Sequence, residues 1–104
     1  MIVTMTDSVP GREIAEILGI VRGNVVRTRF FGRDIMAGLR NLIGGEVPEY
    51  TKLMAEAREQ ALDRLRADAQ SLGADAVVTM RITTSMIMGG SAELLAYGTA
   101  VRLI

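Results

Sequence analysis

The sequence contains no cysteine, no histidine and no tryptophan, and it has only one lysine, Lys52. Without cysteine no disulfide can form, so nothing marks a secreted protein. Soft and borderline metals favour thiolate and imidazole ligands, and this chain has neither. Acid–base catalysis would fall to Asp, Glu, Lys52 or a tyrosine. These absences exclude cysteine and histidine chemistry of every kind.

The chain has the length of a single domain, expected to span residues 1–104. Hydrophobic residues make up 49% and aromatic residues only 4%, so the core must be built from aliphatic side chains. This richness in a small chain predicts apolar surface left over for a second copy. An ordinary, well-filled core is the alternative.

The formal net charge is zero, because twelve basic residues balance twelve acidic ones, so overall charge does not favour binding to a polyanion. The N-terminus carries no basic leader or cleavage signal, and no apolar run approaches the roughly 20 residues that span a bilayer. We therefore expect a cytoplasmic protein with no membrane partner and no nucleic-acid partner.

Two helices are predicted from the spacing of apolar residues. The first covers Arg33–Ile43. The second begins near Pro48 and runs to about Leu72, where Gly73 fits the left-handed position that follows a helix. Its apolar stripe is rich in alanine, which lets a helix lie close against a sheet. The stripe consists of Tyr50, Met54, Ala57, Ala61, Leu65, Ala69 and Leu72.

Strands are predicted from β-branched runs and alternation at Ile2–Met5, Ile20–Thr28, Ala76–Met88 and Leu94–Leu103. The segment Ile14–Leu18 fits either a helical turn or the first half of a longer strand. Glycines inside the second strand, Gly19 and Gly23, are typical of bulges or bends.

The last two strands are predicted to form an antiparallel hairpin through Gly89-Gly90-Ser91. In its first strand Val78, Met80 and Ile82 alternate with polar residues, and we expect this apolar face to meet the long helix. Both faces of the second strand are largely apolar. One carries Leu95, Tyr97, Thr99, Val101 and Leu103, and the other carries Leu94, Ala96, Gly98 and Ala100.

An ordered set of short segments across the chain resembles the YbjQ-like family, small bacterial and archaeal proteins labelled "putative heavy-metal-binding". The matching residues are Arg33-Asp34, Ala37-Gly38, Arg40, Gly44-Gly45, Tyr50, Ala57-Arg58-Glu59, Leu72 to Val78 and Gly98-Thr99-Ala100-Val101. The resemblance implies an α+β subunit with a helix on a curved antiparallel sheet. It also implies a ring-shaped homopentamer whose strands join neighbouring subunits.

One departure weakens the metal label for this chain. Where the family can place acidic residues on alternate strand positions, this sequence has Thr79, Arg81, Thr83 and Ser85. Only carboxylates remain as strong ligands, and these suit calcium or magnesium better than a heavy metal. We assign no metal ligand, no cofactor and no catalytic residue.

Two groups of residues are candidate binding sites. Arg33, Asp34 and Arg40 are hypothetical ligand-binding residues near a subunit boundary; a helix cap at Asp34 and an intersubunit ion pair of Arg33 are the structural alternative. Arg27 and Arg29 are hypothetical anion-binding residues, with Arg22 nearby, because repetition around a ring would concentrate their charge. Solvated or interface-paired arginines are the alternative.

The residues indicate no reaction, since nucleophile motifs, phosphate loops and dinucleotide fingerprints are all missing. We therefore expect a homo-oligomer, a pentamer by the resemblance, with a ligand-binding or assembly role rather than catalysis. A protein that binds a metal cation through oxygen ligands is the first alternative. An enzyme with an intersubunit site is the second.

Overall fold

One long helix and four strands make up the regular structure that the computed structural model describes, over residues 1–27, 48–87 and 91–104. In chain order the elements are β1 (Ile2–Val3), β2 (Ile14–Arg27), α1 (Pro48–Ser71), β3 (Ala76–Ile87) and β4 (Ser91–Leu103). The predicted α+β class and the long helix are confirmed. The predicted short helix Arg33–Ile43 lies outside the described residues.

The four strands form one sheet in the order β1-β3-β4-β2. β4 runs antiparallel to both neighbours, but β1 runs parallel to β3, with Ile2 beside Ala76 and Val3 beside Val77. The prediction of a purely antiparallel sheet was therefore wrong, and the sheet is mixed. The N-terminal run adds to the outer edge of β3. The Thr4 N–H continues this pairing by donating to the Val77 carbonyl at 2.9 Å.

β2 is one continuous strand, so the strand interpretation of Ile14–Leu18 is correct and the helical one is wrong. Its register against β4 shifts between Ile14 and Glu16 and again between Ile17 and Gly19. Gly19 has a φ of 137°, a value that residues with a side chain rarely adopt. The glycine therefore marks an irregularity of the strand, as the sequence predicted.

A bulge in β3 changes which side chains meet the helix. The register against β4 shifts between Val78 and Arg81, and Thr79 has a φ of 53°. Gly98 makes room for this bulge, because a Cβ there would lie 2.7 Å from Cγ1 of Val77 and 3.1 Å from the Val78 carbonyl oxygen.

As a result, Val77 joins the core under the helix, whereas Val78 packs on the opposite face. The expectation that Val78 faces the helix was wrong. Met80 does pack against the core beneath the helix. The extra residue of the bulge thus reverses the alternation, so that from Met80 onward the even-numbered residues of β3 face the helix side of the sheet.

The main core lies between α1 and the strands β2 and β4. The alanine stripe of α1 is confirmed, because Ala57, Ala61, Leu65 and Ala69 are fully buried. Leu72 lies beyond the last turn of the helix and is exposed, contrary to its predicted place in the stripe. The strand residues of this core are Val21, Val25, Val77, Leu94, Ala96 and Ala100.

A smaller cluster covers part of the opposite face of the sheet. The N-terminal turn places Val9 against Val78, Val101 and Leu103, with Ala76 beneath them. The Arg12 N–H donates to the Val9 carbonyl at 3.1 Å and closes the turn. Among the described residues, this turn covers only the neighbouring end of that face. No helix among the described residues is long and apolar enough to cross a membrane.

Replacing Gly23 by alanine should destabilise the protein, because the new Cβ would collide with the Ala61 carbonyl oxygen and the Leu65 amide nitrogen. Both are helix backbone atoms that cannot rotate away. We expect a loss of about 1–3 kcal/mol in the free energy of unfolding, measured by urea denaturation. Asn24→Ala, next in the strand and exposed, should change it by less than about 0.5 kcal/mol. Equal losses in the two variants would contradict this packing.

Candidate functional site

Most of the residues predicted to bind ligand lie outside the described part of the chain, namely Arg29, Arg33, Asp34 and Arg40. Arg27 is described and ends β2. Its Nη2 donates to Oε1 of Gln60 on α1 at 3.1 Å, and its Nε is buried without a partner among the described residues. The Arg27 guanidinium therefore lies against the helix, and the anion site at Arg27 and Arg29 stays a prediction.

The face of the sheet opposite α1 carries a row of three residues that face one another across neighbouring strands. Tyr97 of β4 pairs with Arg22 of β2 on one side and with Arg81 of β3 on the other. We call these residues the tyrosine row. Directly paired residues share a face, so Arg22 and Arg81 stand on either side of Tyr97 on the same face of the sheet. The arginines start from backbones about 10 Å apart, twice the strand spacing.

The two arginines differ in how they are held. Nη1 of Arg81 donates to the carbonyl oxygens of Met5 at 3.0 Å and Met80 at 2.9 Å, which ties the N-terminal segment to the bulge. Within the described residues the Arg22 side chain makes no hydrogen bond or ion pair that meets the usual distance limits. The row thus presents hydrogen-bond donors and positive charge, which is the chemistry that recognises an oxyanion.

One carboxylate lies farther along the same face. Glu93 pairs with Ser85 and Val26, and its Oε2 accepts a hydrogen bond from Nδ2 of Asn24 at 3.4 Å. It stands four residues from Tyr97 along β4, or about 13 Å. At that distance it does not neutralise the tyrosine row, and it has no second acidic partner on this face among the strand residues described.

The described residues do not provide a metal site. Nowhere in residues 1–27, 48–87 and 91–104 do three acidic side chains gather closely enough to hold an ion, and the chain has no histidine or cysteine. Heavy metals favour thiolate or imidazole ligands, and Cu⁺ also accepts methionine thioethers. Apart from those thioethers, the donor set does not fit such an ion.

An uncovered part of β3 is the second candidate surface. The six residues Arg81–Met86, here the β3 arm, are all exposed. Ile82 pairs with Ala96, which lies under the helix, yet α1 lies over β2 and β4 and leaves Ile82 exposed. Met86, on the same face, is 75% exposed. The arm thus presents apolar side chains on one face and Arg81, Thr83 and Ser85 on the other.

Apolar side chains are also exposed along β2 on the face opposite the helix. Ile17 and Ile20 are 71% and 70% exposed, and Val26 is exposed farther along. They pair with Val101, Thr99 and Glu93 of β4. The turn at Val9 covers β3 and β4 but leaves these β2 side chains bare. The described chain thus exposes apolar side chains on both faces of the sheet, on the helix side of the β3 arm and on the opposite side of β2.

The sequence alone did not reveal the tyrosine row. The sequence indicates Arg22 only as a neighbour of Arg27, and it indicates Tyr97 only as one residue of an apolar strand face. The predicted turn Gly89-Gly90-Ser91 would place Arg81 opposite Thr99, whereas β3 and β4 pair from Ile87 and Ser91, and this regular register places Arg81 opposite Tyr97. The pairing of Arg22 depends on the two register shifts of β2, for which only the glycine gave a signal.

The YbjQ family model, described as "Putative heavy-metal-binding", matches residues 1–104. The chain belongs to this family. A UPF0145 protein of Archaeoglobus fulgidus is 59% identical over 103 residues, covering 99% of this chain and 95% of that protein. A UPF0145 protein of Vibrio campbellii is 57% identical over 104 residues, covering 100% of both.

A solved structure supports the fold of this YbjQ-family chain. A protein of unknown function from Pediococcus pentosaceus superposes with a TM-score of 0.67, covering 100% of this chain and 98% of its own. The two sequences are only 15% identical, so the likeness concerns the fold alone. These comparisons confirm the family predicted from the sequence, and they establish no specific biochemical function.

Titration of the purified protein with Zn²⁺ should show no stoichiometric uptake at micromolar concentrations, because the chain offers neither thiolate nor imidazole. Isothermal titration calorimetry measures this directly. As a positive control, Arg22→His with Tyr97→His places two imidazoles on directly paired positions, with Cβ atoms about 5 Å apart. Tight stoichiometric binding by the unmodified protein would contradict the donor-set argument.

Proposed function

We propose that this YbjQ-family chain is a subunit of a homo-oligomer, in which a neighbouring copy covers the β3 arm. The single observation that carries the proposal is that all six residues of the arm, Arg81–Met86, are exposed although they belong to a long strand. The family resemblance favours a ring of five subunits joined through strands. The role that we propose is therefore assembly, with any ligand bound by the assembled form.

The position of the helix across the sheet explains why the arm is bare. α1 has 24 residues and so is about 36 Å long, and it packs mainly across β2 and β4. β3 contributes Val77 and Met80 to the core under the helix, but Ile82 and Met86 lie to the side of it. Within the described residues α1 thus leaves this part of β3 uncovered, and exposed apolar surface of this kind is typical of an interface.

In the part of the chain that the structure describes, no strand pairs with the outer edge of the arm. β1 pairs with only two residues of β3, and the segment after it adds bonds from the Thr79 and Met80 amides to the carbonyls of Thr6 and Thr4. Beyond Met80 no backbone hydrogen bond to the outer side of β3 is found within the described residues. A flat, unpaired edge is a template for another chain.

The overall dimensions agree with an unfinished subunit. The chain extends over 54 × 24 × 16 Å and its radius of gyration is 17.0 Å. A compact domain of about 100 residues has a radius of gyration of about 13 Å. Strands of 12 to 14 residues, longer than the usual three to ten, cause the extension.

Met86→Lys should dissociate the assembly, because it puts a charge into the apolar face of the arm and lysine on an edge opposes strand pairing. We expect the unmodified protein to have a fixed mass several times that of one 11.2 kDa chain, and the variant to approach the mass of one chain at micromolar concentration. Light scattering after size-exclusion chromatography gives both masses.

Ile104→Lys is the matched control, because Ile104 is also 75% exposed but lies at the opposite end of the sheet. It should leave the mass unchanged. A folded, monodisperse single chain as the unmodified state would refute the assembly proposal, and equal effects of the two lysines would refute the role of the arm.

A second candidate function is the binding of an oxyanion at the tyrosine row, and the specific observation in its favour is the pairing of Arg22 and Arg81 with Tyr97. The guanidinium of Arg22 can rotate toward the phenol, and the remaining N–H groups of Arg81 lie on the other side. Together with the Tyr97 hydroxyl they offer donors to a phosphate or carboxylate. The enzyme and cation-binding alternatives have no comparable support among the described residues.

Pyrophosphate binding tests this second function. Arg22→Gln should weaken it about tenfold, the effect of losing one hydrogen bond to a charged group, as measured by calorimetry at low salt. Arg58→Gln, on the exposed side of α1, should have no effect. Binding that is unchanged by Arg22→Gln, or that both variants weaken equally, would eliminate the tyrosine row as the site.

A further inference from the structure

β2 forms the second edge of the sheet, and the helix covers part of that edge in an unusual way. The strand order leaves β2 with a partner, β4, on one side only. A strand in this position presents unpaired N–H and C=O groups that invite another strand. Gly23 lets α1 approach these groups, because any Cβ at this position would collide with the backbone of Ala61 and Leu65.

Two side chains of α1 bond to the outward backbone groups of β2. The Asp68 carboxylate accepts the N–H of Arg22 at 3.0 Å, and Nη1 of Arg64 donates to the carbonyl oxygen of Asn24. We call Asp68 and Arg64 the helix clasp. The clasp occupies an N–H and a C=O two residues apart, and a neighbouring strand would use these same groups.

The covered stretch of β2 lies on the same rows of the sheet as the free β3 arm. Arg22 and Arg81 both pair with Tyr97, and Val26 and Ser85 both pair with Glu93. β2 and β3 also run in the same direction, because each is antiparallel to β4. The β3 arm of one copy would therefore fit beside this stretch of another copy, in parallel and without stagger.

We infer that the Arg22–Asn24 stretch of β2 is a second strand-pairing surface, which fits the β3 arm of another copy and which the helix clasp holds closed. Pairing there would join copies head to tail in one plane. Head-to-tail contacts of this kind grow open-ended unless the rotation between copies closes a ring, and strands paired in parallel without stagger favour the open form. The clasp thus keeps this second route of growth closed.

The two halves of β2 differ in this respect. Within Ile14–Ile20 no side chain of α1 bonds to the strand backbone in the described part of the chain. The register shifts at Ile14/Glu16 and Ile17/Gly19 make this half irregular, and irregular edges pair poorly with a straight strand. The regular half of β2, which could pair with another strand, is the half whose backbone Asp68 and Arg64 bond.

The inference rests on the proposed assembly for its pairing strand, and the test separates the two. Asp68→Ala with Arg64→Ala should leave the helix in place, since neither residue belongs to the buried alanine stripe. Sedimentation should then show a weight-average mass at least twice that of the unmodified protein and rising with concentration. Adding Met86→Lys to the double variant should reverse the growth.

Asp63→Ala with Arg66→Ala is the matched control, because it removes the other acid–arginine pair of the same helix, joined at 3.2 Å on its exposed side. Its mass should equal that of the unmodified protein. If the double clasp variant fails to fold, Asp68→Ala alone gives the same readout with Arg64 intact.

The possible outcomes are distinct. A folded clasp variant whose mass matches that of the control pair overturns the inference, whatever the unmodified protein does. Growth that persists after Met86→Lys also overturns it, because the arm is then not the pairing strand. If the unmodified protein is a single chain and the clasp variant still grows through the arm, the inference stands and the assembly proposal fails.

Discussion

The close contact between α1 and β2 determines what the rest of this chain can do. Small residues on both elements allow it: Gly23 on the strand, and Ala57, Ala61 and Ala69 on the helix. Because the helix backbone lies against the strand backbone, α1 is fixed over the β2 side of the sheet. The helix cannot at the same time cover β3, and the bare β3 arm is the direct consequence.

Much of this architecture follows from local patterns in the sequence. The helix from Pro48 was predictable from its alanine stripe, and Gly73 indicated the stop with a left-handed φ of 74°. The two faces of β4 were also assigned correctly, because its alternation is regular from Leu94 to Leu103. In each case the local residue pattern is enough to predict the element and the side that it buries.

Other features depend on contacts between distant segments, and the sequence could not show them. Thr79 is an ordinary strand residue by type, and only its meeting with Gly98 makes it a bulge that turns Val78 away from the helix. The parallel position of β1 likewise depends on which edge the N-terminal run reaches. The tyrosine row depends on the register of β4 against both β2 and β3. The sequence therefore indicates its three residues but not that they lie side by side.

The described surface offers hydrogen-bond donors and positive charge. Arginine, tyrosine and backbone amides offer donors, whereas thiolate and imidazole are missing from the whole chain. The description "Putative heavy-metal-binding" of the YbjQ family thus finds no matching ligand set among the described residues. What these residues do offer is an unfinished sheet, with one edge open at the β3 arm and the other partly closed by Asp68 and Arg64.

The central claim is that another copy of this chain completes the sheet at the β3 arm. Hydrogen–deuterium exchange of the amides of residues 82–86, measured over a dilution series, tests it most directly. Alternate amides of this stretch point away from β4. If the account is correct, these outward amides exchange slowly in concentrated protein and become fast on dilution, while those bonded to β4 stay slow. Fast exchange of the outward amides at every concentration would contradict it.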